Sequence, residues 1–292
     1  MCKIKILIEK KILLSIICFF FINFLYANCN TAKDFSRVVV AGGAITEIIY
    51  LLGLEKHLVG VDVTSVYPSK AKELPSIGYV RKLSSEGVFS LLPTLILAEN
   101  DIGPPTIVKQ IEETSIDLRI INDKLNMSGI KEKIICIAKI FNLSTSKFEK
   151  IDKEINLKID RINQLKLDNL NEEKRFLIVL MMKGTSPVVA GLNTSGHGFL
   201  NSLGLINVMK DIEGWKPVGK EEIILSNPDH IIITERAYKG FSSRKKFFNE
   251  TGINLTDAGR NNKLIIEDGM ALLGFGPRTL DTALKISETS FK

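Results

Sequence analysis

Glu86-Gly-Val-Phe-Ser-Leu-Leu-Pro93-Thr-Leu-Ile-Leu-Ala98 has a counterpart in Glu221-Glu-Ile-Ile-Leu-Ser-Asn-Pro228-Asp-His-Ile-Ile-Ile-Thr234. In each, a glutamate stands seven residues before a proline, the residues between read as a short helix, and an unbroken apolar run follows. Strands with no polar alternation belong to parallel sheets covered on both faces. An earlier pair frames them. Arg37-Val-Val-Val-Ala-Gly-Gly43 reads as a buried strand ending at glycines, and residues 46–54 follow with Ile48, Ile49, Leu51 and Leu52 at helical spacing. Pro187-Val-Val-Ala-Gly191, the polar Asn193-Thr194-Ser195 and Phe199-Leu-Asn-Ser-Leu-Gly-Leu205 repeat that order. An internal repeat of this size predicts two similar α/β lobes.

Between the two halves, residues 146–165 carry Ile151, Ile155, Ile159 and Ile162 at helical spacing, with charged residues on the other faces and a capping box from Ser146 and Glu149. This segment is the expected connection, a stiff one that limits closure. Residues 127–141 read as an amphipathic helix completing the first lobe. The boundaries expected are 28–143 for the N-terminal lobe, 144–172 for the interlobe helix and 173–292 for the C-terminal lobe. Near the end, a strand at Leu264, Ile265 and Ile266 leads to Gly274-Phe275-Gly276-Pro277-Arg278 and a closing helix starting near Thr279. A proline at a helix start explains Pro277, but not two glycines around a phenylalanine.

The chain begins with Lys3, Lys5, Lys10 and Lys11, then an uncharged apolar run over residues 12–25 and the small residue Ala27. That is the pattern of a secretory signal peptide covering residues 1–27, too short for a comfortable membrane span. A lipoprotein signal ending at Cys29 is the weaker alternative. Cleavage removes four lysines and one glutamate, so the net charge of +6 falls to +3. A balance this mild argues against nucleic acid as a partner. Cys2 and Cys18 leave with the signal; Cys29 at a frayed terminus and Cys136 in a helical pattern predict no disulfide framework.

One loop stands out for chemistry. Ile77-Gly78-Tyr79-Val80-Arg81-Lys82 lies between the turn signals Pro75-Ser76 and Ser84-Ser85, with a tyrosine two residues before an arginine. A guanidinium within a few ångströms of a phenol favours the phenolate, and phenolate oxygen is a ligand for ferric iron in some haem proteins. Around this loop run Val59-Gly60-Val61-Asp62, Tyr67-Pro68, Leu74-Pro75, Leu83-Ser84-Ser85-Glu86-Gly87, Leu92-Pro93 and Gly103-Pro104-Pro105, with Leu272-Leu-Gly-Phe-Gly-Pro-Arg-Thr279 far downstream. This ordered series resembles the periplasmic haem-binding proteins of bacterial haem ABC importers, and the likeness covers nearly all of the chain beyond the signal. They belong to the class III group of periplasmic binding proteins, which also takes cobalamin and ferric siderophores. The resemblance implies two Rossmann-like lobes joined by one long helix.

It also implies that Tyr79 is the axial ligand to the iron of haem b, carried as cargo, and that Arg81 stabilises the phenolate. Tyr67, before a proline, is the rival ligand. Some members add a histidine from the second lobe. Of three histidines here, His57 reads as the cap of the first helix, His230 as the first residue of a strand, and His197 in Gly196-His197-Gly198 as the candidate facing the cleft. Met181 and Met182 at the end of a strand could offer a thioether. Arg236 and Tyr238, just past a parallel strand, stand where open α/β sheets bind ligands. In related importers, glutamates at the positions of Glu86 and Glu221 pair with arginines of the permease. The implied partners are therefore an inner-membrane ABC permease and ATPase, with an outer-membrane haem receptor upstream, for a monomer working in the periplasm.

An enzyme is not expected. Gly-Gly-Ala-Ile-Thr-Glu after the first strand lacks the third glycine of a dinucleotide turn, and no Ser/His/Asp set, Walker lysine or H-E-x-x-H is present. A binding protein for a ferric siderophore or a corrinoid is the closer alternative, and an extracellular structural module the more distant one.

Overall fold

The computed structural model describes residues 29–168 and 171–290, so the expected signal peptide lies outside the described residues. The first half runs β1 (Val38–Ala41), α1 (Gly43–Leu51), β2 (Leu58–Val61), β3 (Gly78–Tyr79), β4 (Lys82–Leu83), α2 (Ser85–Phe89), β5 (Leu95–Ala98), α3 (Pro105–Glu112), β6 (Asp117–Ile120) and α4 (Met127–Ile140). Its main sheet has the order β2-β1-β5-β6, and every pairing is parallel. The two inner strands, VVVA and LILA, are buried at every residue, as a sheet covered on both faces requires.

The connection is α5 (Thr145–Asp168), whose 24 residues span about 36 Å. Ile155 and Ile162 are buried along it and Ile151 and Ile159 pack beside them. The capping expectation is corrected here: the carbonyl of Ser144 already accepts the Phe148 N–H, so Ser146 lies inside the first turn.

The second half continues with β7 (Arg175–Lys183), β8 (Ser186–Ala190), α6 (Ser195–Ser202), β9 (Ile206–Asn207), β10 (Trp215–Pro217), α7 (Lys220–Ser226), β11 (His230–Thr234), α8 (Glu235–Tyr238), α9 (Arg244–Thr251), α10 (Asp257–Arg260), β12 (Leu264–Glu267), α11 (Gly269–Leu273) and α12 (Pro277–Ser290). Its sheet has the order β10-β8-β7-β11-β12, with β9 also on β7. The parallel trio β7-β11-β12 matches β1-β5-β6, but β8 folds back antiparallel on β7. The likeness of Pro187-Val-Val-Ala-Gly191 to the first strand is therefore local. A two-residue turn, with Gly184 at φ +61°, joins β7 to β8, where a parallel neighbour needs a long crossover.

The reading of the cysteines is also corrected. Cys29 and Cys136 form a disulfide, with Cα atoms 4.9 Å apart. The N-terminal segment is not frayed: Ala32 N–H donates to the Ile140 carbonyl (2.9 Å) and Thr31 Oγ1 to that of Lys139 (3.2 Å), which lays the segment along the end of α4. Closing the molecule, α12 returns to pack on α5, where Lys158 meets Asp281 at 2.7 Å. One core cluster runs from Val38 and Ile45 through Ile162 to Phe275 and Leu280, so both lobes share buried contacts.

Candidate functional site

The strands β3 and β4 form a hairpin at the carboxyl side of the first sheet, and the side chains it does not bury are what it offers. Ile77, Val80 and Leu83 point into a core shared with Ile96, Ala98 and Ile107. Tyr79 and Arg81 point out: Tyr79 is 41% exposed. The hairpin is clipped on both sides. Val63 N–H donates to Gly78 O, Gly103 N–H to Val80 O and Leu83 N–H to Gly103 O, each at 2.9 Å.

Arg81 stands with its guanidinium carbon 6.0 Å from the Tyr79 ring centroid, and its Nε donates to Asp101 Oδ2 at 2.6 Å. That hydrogen bond is the largest cause holding the Arg81 pKa above its usual value, with burial opposing and the charges of Asp101, Tyr79 and Glu99 adding to it. The sequence pointed to Tyr79 and Arg81 but not to Asp101. Twenty residues separate Arg81 from its acid, and only the loop after β5 brings them together.

The rival Tyr67 is differently engaged. Its ring faces the Arg278 guanidinium at 4.2 Å, and Arg278 also pairs with Glu47 (Nη2–Oε1 2.6 Å) and Asp268 (Nη1–Oδ1 3.0 Å). Tyr67 thus belongs to a cluster joining α1 to α12.

Beneath the hairpin, the glycine turn after β1 is already used by the protein. Gly42 N–H donates to Asp62 Oδ1 (3.1 Å) and Gly43 N–H to Thr64 Oγ1 (2.9 Å), while Thr64 and Ser65 hydroxyls donate to the same aspartate. With those amides occupied, the turn offers no phosphate cradle. Gly42 sits at φ +146°, and a Cβ there would lie 2.5 Å from Glu99 Cδ. Burial pushes the Glu99 carboxyl up to about 8 and raises Asp62 too, hydrogen bonds from Thr64, Ser65 and Gly42 opposing in the latter.

The second-lobe candidates pack within their own lobe. His197, third residue of α6, has its N–H on the Thr194 cap (3.1 Å) and Nδ1 against Asn207 (3.4 Å). Met182 and Tyr238 border the second core cluster, Tyr238 meeting Phe241 and Phe247 at 6.5 and 6.2 Å. Arg236 is exposed on α8. Among the described residues, no hydrogen bond, ion pair or ring contact joins these four to Tyr79. His57 lies between Phe35 and Phe141, and His230 stacks on Phe176 at 4.7 Å. Glu86 and Glu221 are both exposed, and each is the second residue of its helix, α2 and α7.

Comparison with known proteins fits this geometry. The family described as periplasmic binding protein matches residues 38–269. The periplasmic heme-binding protein RhuT from Roseiflexus sp. RS-1 is 30% identical, with a TM-score of 0.79 over 87% of this chain and 97% of that one. An uncharacterized ABC transporter substrate-binding lipoprotein, YvrC of Bacillus subtilis (strain 168), is 23% identical over 89% of this chain and 81% of its own length. The vitamin B12-binding protein of Pectobacterium atrosepticum is 24% identical over 68% of this chain and 71% of its own.

Proposed function

The chain belongs to the periplasmic binding protein family, and on that premise we propose that it captures one ferric haem between its lobes and delivers it to an ABC transporter. It is a binding protein and not an enzyme. The iron is held by the Tyr79 oxygen, with Arg81 stabilising the phenolate; the cargo is haem b. His197, Met182, Arg236 and Tyr238 are the second-lobe groups proposed to meet the ligand from the far side when the lobes adjust around it. The lobes divide at 28–143 and 173–292, with 144–172 as the helix between.

The observation that carries this reading is the 78–83 hairpin, a half-exposed phenol beside a fixed guanidinium on a strand pair clipped to the lobe. An exposed tyrosine with a nearby cation suits a metal that has an open axial position. Titration with hemin tests it. The wild-type protein is expected to develop a tyrosinate-to-iron absorption band, and Tyr79→Phe to lose the band and most of the affinity. An unchanged spectrum in Tyr79→Phe with loss in Tyr67→Phe would transfer the ligand to Tyr67.

A corrinoid is the second reading, favoured by the similarity to the vitamin B12-binding protein. Cobalamin in place of hemin in the same titration decides between them. The partner proposed is an inner-membrane permease with its ATPase, docked through Glu86 and Glu221, with an outer-membrane receptor upstream. The working form is a periplasmic monomer freed from its signal peptide. The Cys29–Cys136 bond engages the sulfur that a lipoprotein signal would modify, which supports this form over a lipid-anchored one.

A further inference from the structure

We propose that Asp101 is a positioning residue that aims Arg81 at the Tyr79 oxygen, an inference that rests on Tyr79 being the iron ligand. An arginine on an exposed hairpin gives up rotamer freedom when it is fixed, so something must hold it. The Arg81 side chain is 63% exposed, and among the described residues the hydrogen bond it donates goes to Asp101 and not to its own hairpin. Asp101 takes the Nε–H at 2.6 Å, the inner nitrogen of the guanidinium. A grip at Nε restrains the group from its inner end and does not use the Nη nitrogens.

The pairing is built into the backbone. Residues 99–103 turn on the Ile102 N–H to Glu99 O bond (3.1 Å), and Gly103 then exchanges two backbone bonds with Val80 and Leu83 across the hairpin. Gly103 itself is packed against Arg81: a Cβ would sit 3.2 Å from the Arg81 carbonyl. Arg81 and Asp101 therefore approach from two segments locked to each other. As a surface ion pair, exposed on both sides, it adds little stability, so its removal leaves the fold intact. Its effect lies in placing the guanidinium.

Hemin titration of Asp101→Asn is expected to show about tenfold weaker binding, with a displaced tyrosinate band and an unchanged thermal midpoint. Asp101→Glu should recover part of the loss. In an Arg81→Ala background, Asp101→Asn should cost nothing further, because the two act as one unit. Wild-type affinity and spectrum in Asp101→Asn, or independent losses in the double variant, would overturn the proposal. Tyr79→Phe, measured alongside, separates the two ideas. If it loses the band while Asp101→Asn matches wild type, the ligand stands and positioning falls; if it is unchanged, both fall.

Discussion

Glu99 directly follows the buried strand β5, and its Oε1 is shut off from solvent with no hydrogen-bond partner. Burial is the main reason its pKa rises to about 8; Lys133 opposes the shift, and Asp123, Asp101 and Asp62 reinforce it. In the unfolded chain the same group loses its proton near 4.5. Between these values the folded protein keeps a proton that the unfolded chain has released, so stability falls as pH rises through the window, by about 1.4 kcal/mol per unit. Glu99→Gln should flatten that slope and stabilise the protein at pH 8. Urea midpoints at pH 5 and pH 8 for both proteins check this, and parallel profiles would refute it. The residue scale also marks what the sequence can reveal. Tyr79 and Arg81 were legible because turn signals on both sides mark an exposed loop and the two-residue spacing sets a cation beside the phenol. Asp101 was not, since its role depends on two loops meeting and no local spacing records that.

At the scale of elements, α1 and α12 share apolar core contacts, and one arginine carries the polar part of their join. Arg278 holds Glu47, whose side chain is 4% exposed, together with Asp268 and the Tyr67 ring. Burial raises the Glu47 pKa even against the hydrogen bond and charge of Arg278. Removing the arginine leaves an acid in the dark with no partner, which costs about 3 kcal/mol. Arg278→Ala should thus lower the urea midpoint strongly, and adding Glu47→Gln should restore part of it. Equal losses in the single and double variants would mean that packing, not charge, holds the join. Close packing next to this contact explains the glycine pair that a turn alone did not: a Cβ on Gly274 would lie 2.7 Å from the Met270 carbonyl oxygen and one on Gly276 3.3 Å from Ala44, on either side of Phe275, which is fully buried at φ +50°. Apolar strands and the long helix could be read from their own periodicity. The antiparallel β8, the disulfide and the Arg278 cluster could not, because each is decided by a partner distant in the chain or by the length of a turn.

For the whole molecule, the two lobes present the same feature at matching places. Glu86 and Glu221 are second residues of α2 and α7, and those helices lead into β5 and β11, which hold the same position in their sheets beside β1 and β7. A carboxylate in the first turn favours a helix by about 0.3–1 kcal/mol, and that accounts for either glutamate alone. The helices differ in how much they need it. Ser84 caps α2 by accepting the Gly87 N–H, so Glu86 is not required there, whereas Gly219 gives α7 no side-chain cap. If capping were the whole purpose, only the second lobe would call for the acid. Two exposed carboxylates, one per lobe, instead suit a partner with two matching basic sites, and rim charges of that kind set docking rate and register. Glu86→Lys with Glu221→Lys is therefore expected to leave hemin affinity unchanged and to lower the thermal midpoint by a few degrees at most, chiefly through Glu221. Delivery of haem to a reconstituted transporter should be abolished in the double variant and reduced in each single one. Transport at the wild-type rate by the double variant would leave the glutamates as helix-terminal charges and the docking face elsewhere.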